Sequence, residues 1–368
     1  MDLGPFLLEQ WLEKYEHTTK YDLACSTGPK WAAKELLALM TEEEKERLFA
    51  TPLTYRPSGG TAPLRQAVAG WLGVDENDVQ IGTGASEALL SLFFLASDSE
   101  GNVVIPTPGY PAFSAFPTSF GLETRTYAHR PENRFQPDIN EIKSLVDERT
   151  RILLVNTPHN PTGTILGPDA LRELHDFAAE RNVQFVVDEV YHPIYYDAEN
   201  DTAATLPNAI ILGDLSKALC MAGLRVGWII DRDRNRLEQH RNARSYFTIS
   251  NGVFGEALAE VAVRNRDTIF ERAQATAERN LALLDSFFDE QEERLSWVRP
   301  QGGFTAFPSL TSGEDTRALC QRVAELGVLL APGDCFGHPS HFRLGFGACE
   351  EGFANALETF SEVLRKSR

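Results

Sequence analysis

Short apolar runs alternate with amphipathic windows through the middle of the chain. Arg-Ile-Leu-Leu-Val-Asn at 151–156, Phe-Val-Val at 185–187, Ala209 to Leu212 and Val226 to Ile230 are near-continuous apolar stretches of strand length. Runs of this kind fit strands buried on both faces. Val79 to Leu90 reads as strand, tight turn and helix start, Asn102 to Pro106 is a further short strand, and the strand beginning at Gln184 is expected to continue to Tyr191. Between these runs, Thr61 to Leu72 and Pro168 to Arg181 read as helices. Strand alternating with helix predicts an α/β fold around a mostly parallel sheet, with ligands gathered at its carboxyl edge.

Towards the two ends the pattern turns helical. Phe6 to Tyr15 carries Phe6, Leu7, Trp11 and Leu12 on one side. Asp267 to Phe288 carries Ile269, Phe270, Ala273, Ala277, Leu281, Leu284 and Phe288 at helical spacing, which is a core stripe. Thr41-x-x-Glu44 is a capping box, and Thr268-x-x-Glu271 is a second candidate cap.

Polar residues at the ends of the apolar runs bring in chemistry. Asn160, Asp188 and Lys217 each come at or just past the end of such a run. A carboxylate directly after Phe-Val-Val is costly to bury without a cationic or donor partner. Lys217 stands among Gly213, Ser216, Ala218, Ala222 and Gly223, where a ligand and the backbone can approach closely. A lysine drawn into an apolar pocket loses solvation, its pKa falls, and it can attack a carbonyl. Eight residues on, Arg225 offers a planar fork suited to an oxyanion. Taken singly, Lys217 and Arg225 read equally well as surface charges. Gly84, Ala85 and Ser86 would open a helix after a strand, where free amides and the dipole favour a phosphate. Tyr21 to Pro29 ends in Ser-Thr-Gly, either a backbone facing a ligand or a connecting turn. Two prolines flank His159-Asn160, and the Asn160-Pro161 bond is a candidate cis peptide.

Composition narrows the class. A chain of 368 residues holds a large core, most simply as two domains. Its net charge of −18 disfavours nucleic acid and anionic membrane surfaces as partners. Five cysteines, without a Cys-x-x-Cys pair, read as reduced thiols of a cytoplasmic protein, with no metal site. Met1 to Gln10 carries Asp2 and Glu9 and does not read as a leader, and no apolar run is long enough to span a bilayer.

Six motifs in order give the chain a resemblance. They are Thr83-Gly-Ala-Ser-Glu-Ala-Leu89, Pro108-Gly-Tyr-Pro111, Pro158-His-Asn-Pro-Thr-Gly163, Asp188-Glu-Val-Tyr191, Ser216-Lys217 with Gly223-Leu-Arg225, and Phe342-Arg-Leu-Gly345. Over nearly its whole length the chain resembles the class I/II aminotransferases, fold-type I enzymes dependent on pyridoxal 5′-phosphate. The resemblance implies a large cofactor-binding domain over 46–265, with a mostly parallel central sheet flanked by helices. Residues 1–45 and 266–368 would form an amino-terminal arm and a smaller α+β domain.

The resemblance also implies roles. Lys217 would carry the cofactor as an internal aldimine and shuttle the substrate proton, with Asp188 and Tyr191 completing the catalytic set. Asp188 would pair with the pyridine nitrogen, Asn160 and Tyr191 would bond the phenolic oxygen, and Tyr110 would stack on the ring. Gly84, Ala85, Ser86, Ser216 and Arg225 would surround the phosphate, with Tyr55 reaching it from the partner of a homodimer. Arg343 would clamp the substrate α-carboxylate, together with Asn160 and Gly28. Tyr21, Trp31 and Tyr246 are candidates either for the side-chain pocket or for the core.

Two departures from the family pattern stand out. Asp214 takes the place, three before the lysine, where the family usually has Ser or Thr beside the phosphate. It must turn away, pair with a cation or alter how the phosphate is held. The amino-terminal region lacks the usual Gly-Glu-Pro triplet. With Arg130 to Asp138 and the Leu-Ser-Lys run, that region is similar to the capreomycidine synthases, which dehydrate and cyclise a hydroxyarginine. Three readings follow: amino transfer between an L-amino acid and a 2-oxo acid; elimination, replacement, cyclisation or oxidation on the same scaffold; and a non-enzymatic regulator. The acidic charge and the presence of Lys217 disfavour the third.

Overall fold

Alternate residues of the apolar runs go to opposite faces of one seven-stranded sheet. The computed structural model describes residues 3–97, 100–196 and 200–366. Met1 and Asp2, part of the segment read for a leader, lie outside them. After a short strand β1 (Tyr21–Asp22), the sheet is built from β2 (Val79–Gly82), β3 (Asn102–Thr107), β4 (Glu123–Ala128), β5 (Thr150–Asn156), β6 (Gln184–Asp188), β7 (Ile210–Asp214) and β8 (Gly227–Ile230). Their order is β2-β8-β7-β6-β5-β3-β4. Strands β3 to β7 pair in parallel, and β8 runs antiparallel to both β7 and β2.

The helices that cover this sheet follow its period-two alternation. Ile152, Leu154, Val186, Ile210, Leu212 and Ile229 pack on one face with Leu89, Leu92 and Phe93. Those three belong to α5 (Ala85–Ala96), which follows α1 (Leu7–Tyr15), α2 (Ala33–Ala38), α3 (Glu42–Phe49) and α4 (Ala62–Leu72). Leu153, Val155, Phe185, Val187 and Ile211 go into the other, larger cluster with Leu64 and Val68 of α4. That cluster also takes Leu171 and Leu174 of α8 (Pro168–Glu180), which comes after α6 (Ala112–Ser119) and α7 (Ile139–Leu145). Each large apolar side chain removed from water in this way contributes roughly 1.5–3 kcal/mol.

Beyond the sheet come α9 (Arg234–Phe247), α10 (Val253–Arg264) and the long α11 (Arg266–Glu290). Among the carboxy-terminal strands, β9 (Leu295–Ser296) pairs with β11 (Ser309–Leu310). Next to them β10 (Thr305–Ala306), β14 (Phe342–Gly345) and β13 (Ala331–Pro332) form a three-stranded antiparallel sheet. Strand β12 (Val328–Leu329) pairs in parallel with β1, tying the amino-terminal segment to this region. Helices α12 (Arg317–Glu325) and α13 (Phe353–Lys366) close it, α13 burying Phe353, Leu357, Phe360 and Leu364.

Two local expectations are corrected. Strand β6 stops at Asp188 and does not reach Tyr191, because its ladder with β7 ends at Asp188 opposite Leu212. The Asp188 carboxylate then accepts the Val190 amide at 3.2 Å and turns the chain. Thr268 does not cap α11 but lies inside it, since the helix starts at Arg266, two residues after α10 ends. The Thr41 box forms as expected: the Glu44 amide donates to Thr41 Oγ1 at 3.2 Å, and the Thr41 amide to Glu44 Oε2 at 2.8 Å. The Asn160-Pro161 bond is cis.

Candidate active site

The carboxyl ends of β5, β6 and β7 open into one cavity of about 420 Å³. Asn160, Asp188 and Lys217 all line it, with Ala85, Ser86, Tyr110, Tyr191, Ser216, Arg225 and Arg343. Ladder spacing sets these groups side by side, since each follows a neighbouring strand. Asn156, the last residue of β5, locks two of them: its side chain donates to the Asp188 carbonyl at 3.0 Å and accepts the Asn160 amide at 2.8 Å.

Asp188 is buried, and among the described residues the only hydrogen bond to its carboxylate is the one from the Val190 amide. Burial pushes its carboxyl up to about 7; the Val190 bond opposes this, Asp214 adds to it, and Lys217 opposes it. A buried carboxylate with no ion pair asks for a cation in the space it faces. Tyr191 is 1% exposed, and among the described residues its hydroxyl has Ser26 as its side-chain neighbour but no fully formed hydrogen bond. Lys217 Nζ donates to Ser26 Oγ at 2.8 Å.

At the other end Gly84 caps α5 with φ 79°, a left-handed conformation that favours glycine. A Cβ there would lie 2.9 Å from Arg225 Nη2, so the guanidinium sits over the helix start. Gly227 of β8 abuts the same turn, where a Cβ would come within 2.6 Å of the Gly84 carbonyl carbon. Asp214 pairs with Gly227 across the β7–β8 ladder and lines the cavity. Its Oδ1 accepts the Ser216 amide at 2.8 Å.

A buried network behind the turn holds this end rigid. Glu87 accepts from the Thr83 amide, from Thr248 Oγ1 and, at 3.3 Å, from Arg244 Nε. Arg244 also donates to the Ser58 carbonyl and to Asn251 Oδ1. Asn251 in turn donates to the carbonyls of Gly82 and Arg225, at 2.9 and 3.0 Å. In the sequence Glu87 stands only as part of the Thr83 to Leu89 motif, with no role, and nothing singles out Arg244 or Asn251.

Arg343 comes from β14 and is 2% exposed. Its Nη2 donates to the Ala24 carbonyl at 2.7 Å and its Nη1 to Asn160 Oδ1 at 3.3 Å, while Nε has no partner among the described residues. Burial lowers its pKa from the usual arginine value. The amino-terminal segment reaches the same cavity through Asp22, Cys25, Ser26 and Thr27. Gly345 N donates to the Leu23 carbonyl at 2.6 Å, and Asp22 Oδ1 accepts the amides of Ala24 and Cys25, both at 3.0 Å.

Three of the sequence candidates stand elsewhere. Gly28 is not in the wall of this cavity; its α-carbon abuts Cys220 and Phe304. Gly84 lies beneath the wall, and Tyr55 is 80% exposed on the surface. Asn160 faces Arg343 as well as the ring-binding end. Of the aromatic candidates for a side-chain pocket, Tyr21, Trp31 and Tyr246, none lines the cavity.

Pyridoxal 5′-phosphate fits this donor set. The buried Tyr191 hydroxyl and the Asp188 carboxylate, which has no ion pair among the described residues, call for a polar, cationic ring. The α5 start and Arg225 offer amides and a guanidinium to a phosphate. Residues 26–360 match the family described as aminotransferase class I and II. The chain is similar to capreomycidine synthase of Streptomyces vinaceus, 31% identical over 366 residues covering 97% of this chain and 93% of that protein. It is also similar to the solved structure of a PLP-dependent aminotransferase from Streptococcus suis 89-1591, with a TM-score of 0.93 and 28% identity, covering 100% of this chain and 99% of that one. The solved PLP-dependent cyclase OrfR gives a TM-score of 0.90 at 28% identity, covering 99% and 98% of the two chains. With that match along most of its length, the chain belongs to the class I and II aminotransferase family, an enzyme of fold-type I α/β architecture whose cofactor is pyridoxal 5′-phosphate.

Proposed function

We propose that the protein moves an amino group between an L-amino acid and a 2-oxo acid, with Lys217 as the group that carries the cofactor and moves the substrate's α-proton. The observation that carries this reading is that Lys217 and the buried, partly unpaired Arg343 line one cavity. An amino acid with its carboxylate on Arg343 brings its α-carbon towards Lys217.

Bound here, pyridoxal phosphate supplies an electron sink for the pair left behind when a bond at that α-carbon breaks. The chain's own residues do the rest. Ala85 and Ser86 at the start of α5, with Gly84, Ser216 and Arg225, would hold the phosphate. Asp188 would keep the ring nitrogen protonated, Asn160 and Tyr191 would bond the phenolic oxygen, and Tyr110 would cover the ring face. Arg343 would orient the substrate through its carboxylate, so that its α-proton faces Lys217 Nζ. Residues 46–265 would act as the cofactor domain, with 1–45 and 266–368 as arm and smaller domain.

A homodimer in the cytoplasm belongs to the same proposal. Tyr55, Tyr246 and Ile249 are exposed, and the Arg56 amide bonds Ser250 Oγ at 3.3 Å, which draws these aromatic and aliphatic groups onto one surface. Sedimentation at equilibrium tests it, and a Tyr55→Ala variant should bind the cofactor more weakly if the partner's Tyr55 completes the site.

The likeness to capreomycidine synthase and to the cyclase OrfR favours a second reading, elimination, replacement, cyclisation or oxidation without net amino transfer. One experiment separates the two. Single L-amino acids are added to the holoenzyme without any 2-oxo acid, and products are counted. One equivalent of 2-oxo acid per site, with turnover resuming only when a second 2-oxo acid is added, supports amino transfer. Many turnovers from one amino acid alone reject it in favour of the second reading.

A further inference from the structure

The end of the cavity that suits a phosphate also holds a carboxylate. Ile210 and Leu212, at alternate positions of β7, pack on the sheet face that α5 covers, with Leu89, Leu92 and Phe93. The strand stays regular through Asp214, which pairs with Gly227 of β8, so the alternation sets the Asp214 side chain on that same face. Gly227 itself abuts the helix start: a Cβ on it would come within 2.7 Å of the Ala85 amide nitrogen. Asp214 thus lines the wall together with Ala85, Ser86 and Arg225.

No cation answers this carboxylate. Asp214 is 8% exposed, and among the described residues the only hydrogen bond to its carboxylate comes from the Ser216 amide, to Oδ1 at 2.8 Å. Lys217 Nζ turns instead to Ser26, and Arg225 Nη1 donates to the Ala222 carbonyl at 3.1 Å. Asp214 enters no ion pair among these residues, and its Oδ2 is left without a hydrogen bond. Asp188, two positions beyond Val186 on the same sheet face, adds a second carboxylate and no donor. Glu87 of α5 is engaged behind the turn by Arg244. The other charged groups of the cavity wall, Glu9, Glu16, Asp22 and Arg343, belong to the amino-terminal segment and β14. Of the three courses open to Asp214, pairing with a cation is therefore not taken. Its bond to the Ser216 amide leaves it in the wall, so it has not turned away either.

The remaining course is a change in how the phosphate is held. A phosphate monoester loses its second proton near pH ~6, so at neutral pH it is mostly a dianion with acceptors only. A serine or threonine hydroxyl can donate to that dianion; the Asp214 carboxylate can only repel it. One proton between them turns the repulsion into a charge-assisted O–H···O bond. It also leaves Arg225 and the α5 amides facing a single negative charge.

We propose that Asp214 Oδ2 accepts a hydrogen bond from a protonated cofactor phosphate, so that this chain selects the phosphate monoanion. The proton comes from solvent, and no bond to phosphorus forms or breaks. Above pH ~6 binding then takes up one proton that a hydroxyl in this place would not require.

The test is phosphorus-31 NMR of the holoenzyme from pH ~7 to ~9, with free pyridoxal phosphate as the reference for the two ionisation states. The unmodified protein is expected to hold the monoanion position to pH ~8 or beyond, whereas Asp214→Ser should show the dianion position throughout. Cofactor dissociation constants at pH ~7.5 and ~8.5 give a second readout: the ratio of unmodified protein to Asp214→Ser should rise about tenfold over that interval. Taking the ratio cancels the titrations of Lys217 and Asp188, which both proteins share. A dianion signal from the unmodified protein overturns the inference whether or not the variant folds, and so does a ratio that does not change with pH.

Discussion

Lys217 Nζ and Ser26 Oγ, 191 residues apart in the chain, meet at 2.8 Å inside the cavity. The lysine follows β7, and the serine belongs to the amino-terminal segment that is stitched to β14. A hydroxyl at this distance can steady the amine between proton transfers. Ser26→Ala should retain the cofactor yet slow exchange of the substrate's α-hydrogen roughly tenfold or more, as read by deuterium wash-in. Lys217→Ala should lose at least about a thousandfold in that exchange and leave no cofactor attached after borohydride reduction, as read by mass spectrometry.

Asp188 and its neighbour Glu189 make stability depend on pH. Burial lifts Asp188 from 3.8 and Glu189 from 4.5, each to about 7. Below pH ~4 both groups are protonated in the folded and unfolded chain, and they cost nothing. Between pH ~4 and ~7 the folded chain keeps protons that the unfolded chain has lost, so this contribution to stability falls as pH rises. For Asp188 the loss is on the order of 4 kcal/mol at most. Thermal melts of the cofactor-free protein should show the decline across that window, and Asp188→Asn should make it shallower, leaving the part that Glu189 contributes. Adding pyridoxal phosphate, whose protonated ring nitrogen would face Asp188, should also flatten it.

Arg343→Lys keeps a positive charge but removes the planar fork, including the bonds to Asn160 and Ala24. Half-saturation by the amino acid should rise about a hundredfold, while the spectrum of the bound cofactor stays unchanged. Loss of the cofactor spectrum in this variant would place Arg343 in the cofactor's own shell instead.

Arg244 is 1% exposed and joins Glu87, Ser58 and Asn251 behind the α5 turn. Arg244→Ala strands the buried Glu87 carboxylate and should cost about 3–5 kcal/mol in denaturant unfolding. Because Asn251 fixes the carbonyls of Gly82 and Arg225, cofactor affinity should fall as well, although Arg244 itself does not line the cavity.

Much of this site was legible because buried parallel strands must be apolar, so a polar residue at the end of such a run stands out. Asp188 after Phe-Val-Val and Lys217 after the Ala209 to Leu212 run are both of this kind. What the sequence hid depends on distant contacts. Glu87 and Arg244 look like solvated helix charges until α5 and α9 are packed together. In the turn after Tyr21 the glycine drew attention, yet the fold sends Ser26 into the cavity and packs Gly28 against Cys220 and Phe304. The overrun of β6 has a similar cause: Val190 and Tyr191 favour a strand, but the Asp188 carboxylate takes the Val190 amide and ends the ladder.

The pairing of β1 with β12, and of Leu23 with Gly345, has a consequence for biosynthesis. Synthesis on the ribosome runs from the amino terminus, so the segment carrying Ser26 is made first and finds its berth last. A nascent chain that has emerged as far as β8 already contains every strand of the central sheet and both halves of the phosphate cradle. Its first thirty or so residues, however, lack the β1–β12 ladder and the Leu23–Gly345 bond until β12 and β14 leave the exit tunnel. On the roles proposed for Arg225 and Arg343, cofactor capture would then precede completion of the substrate side, and a chain released before Gly345 would lack a seat for the amino acid.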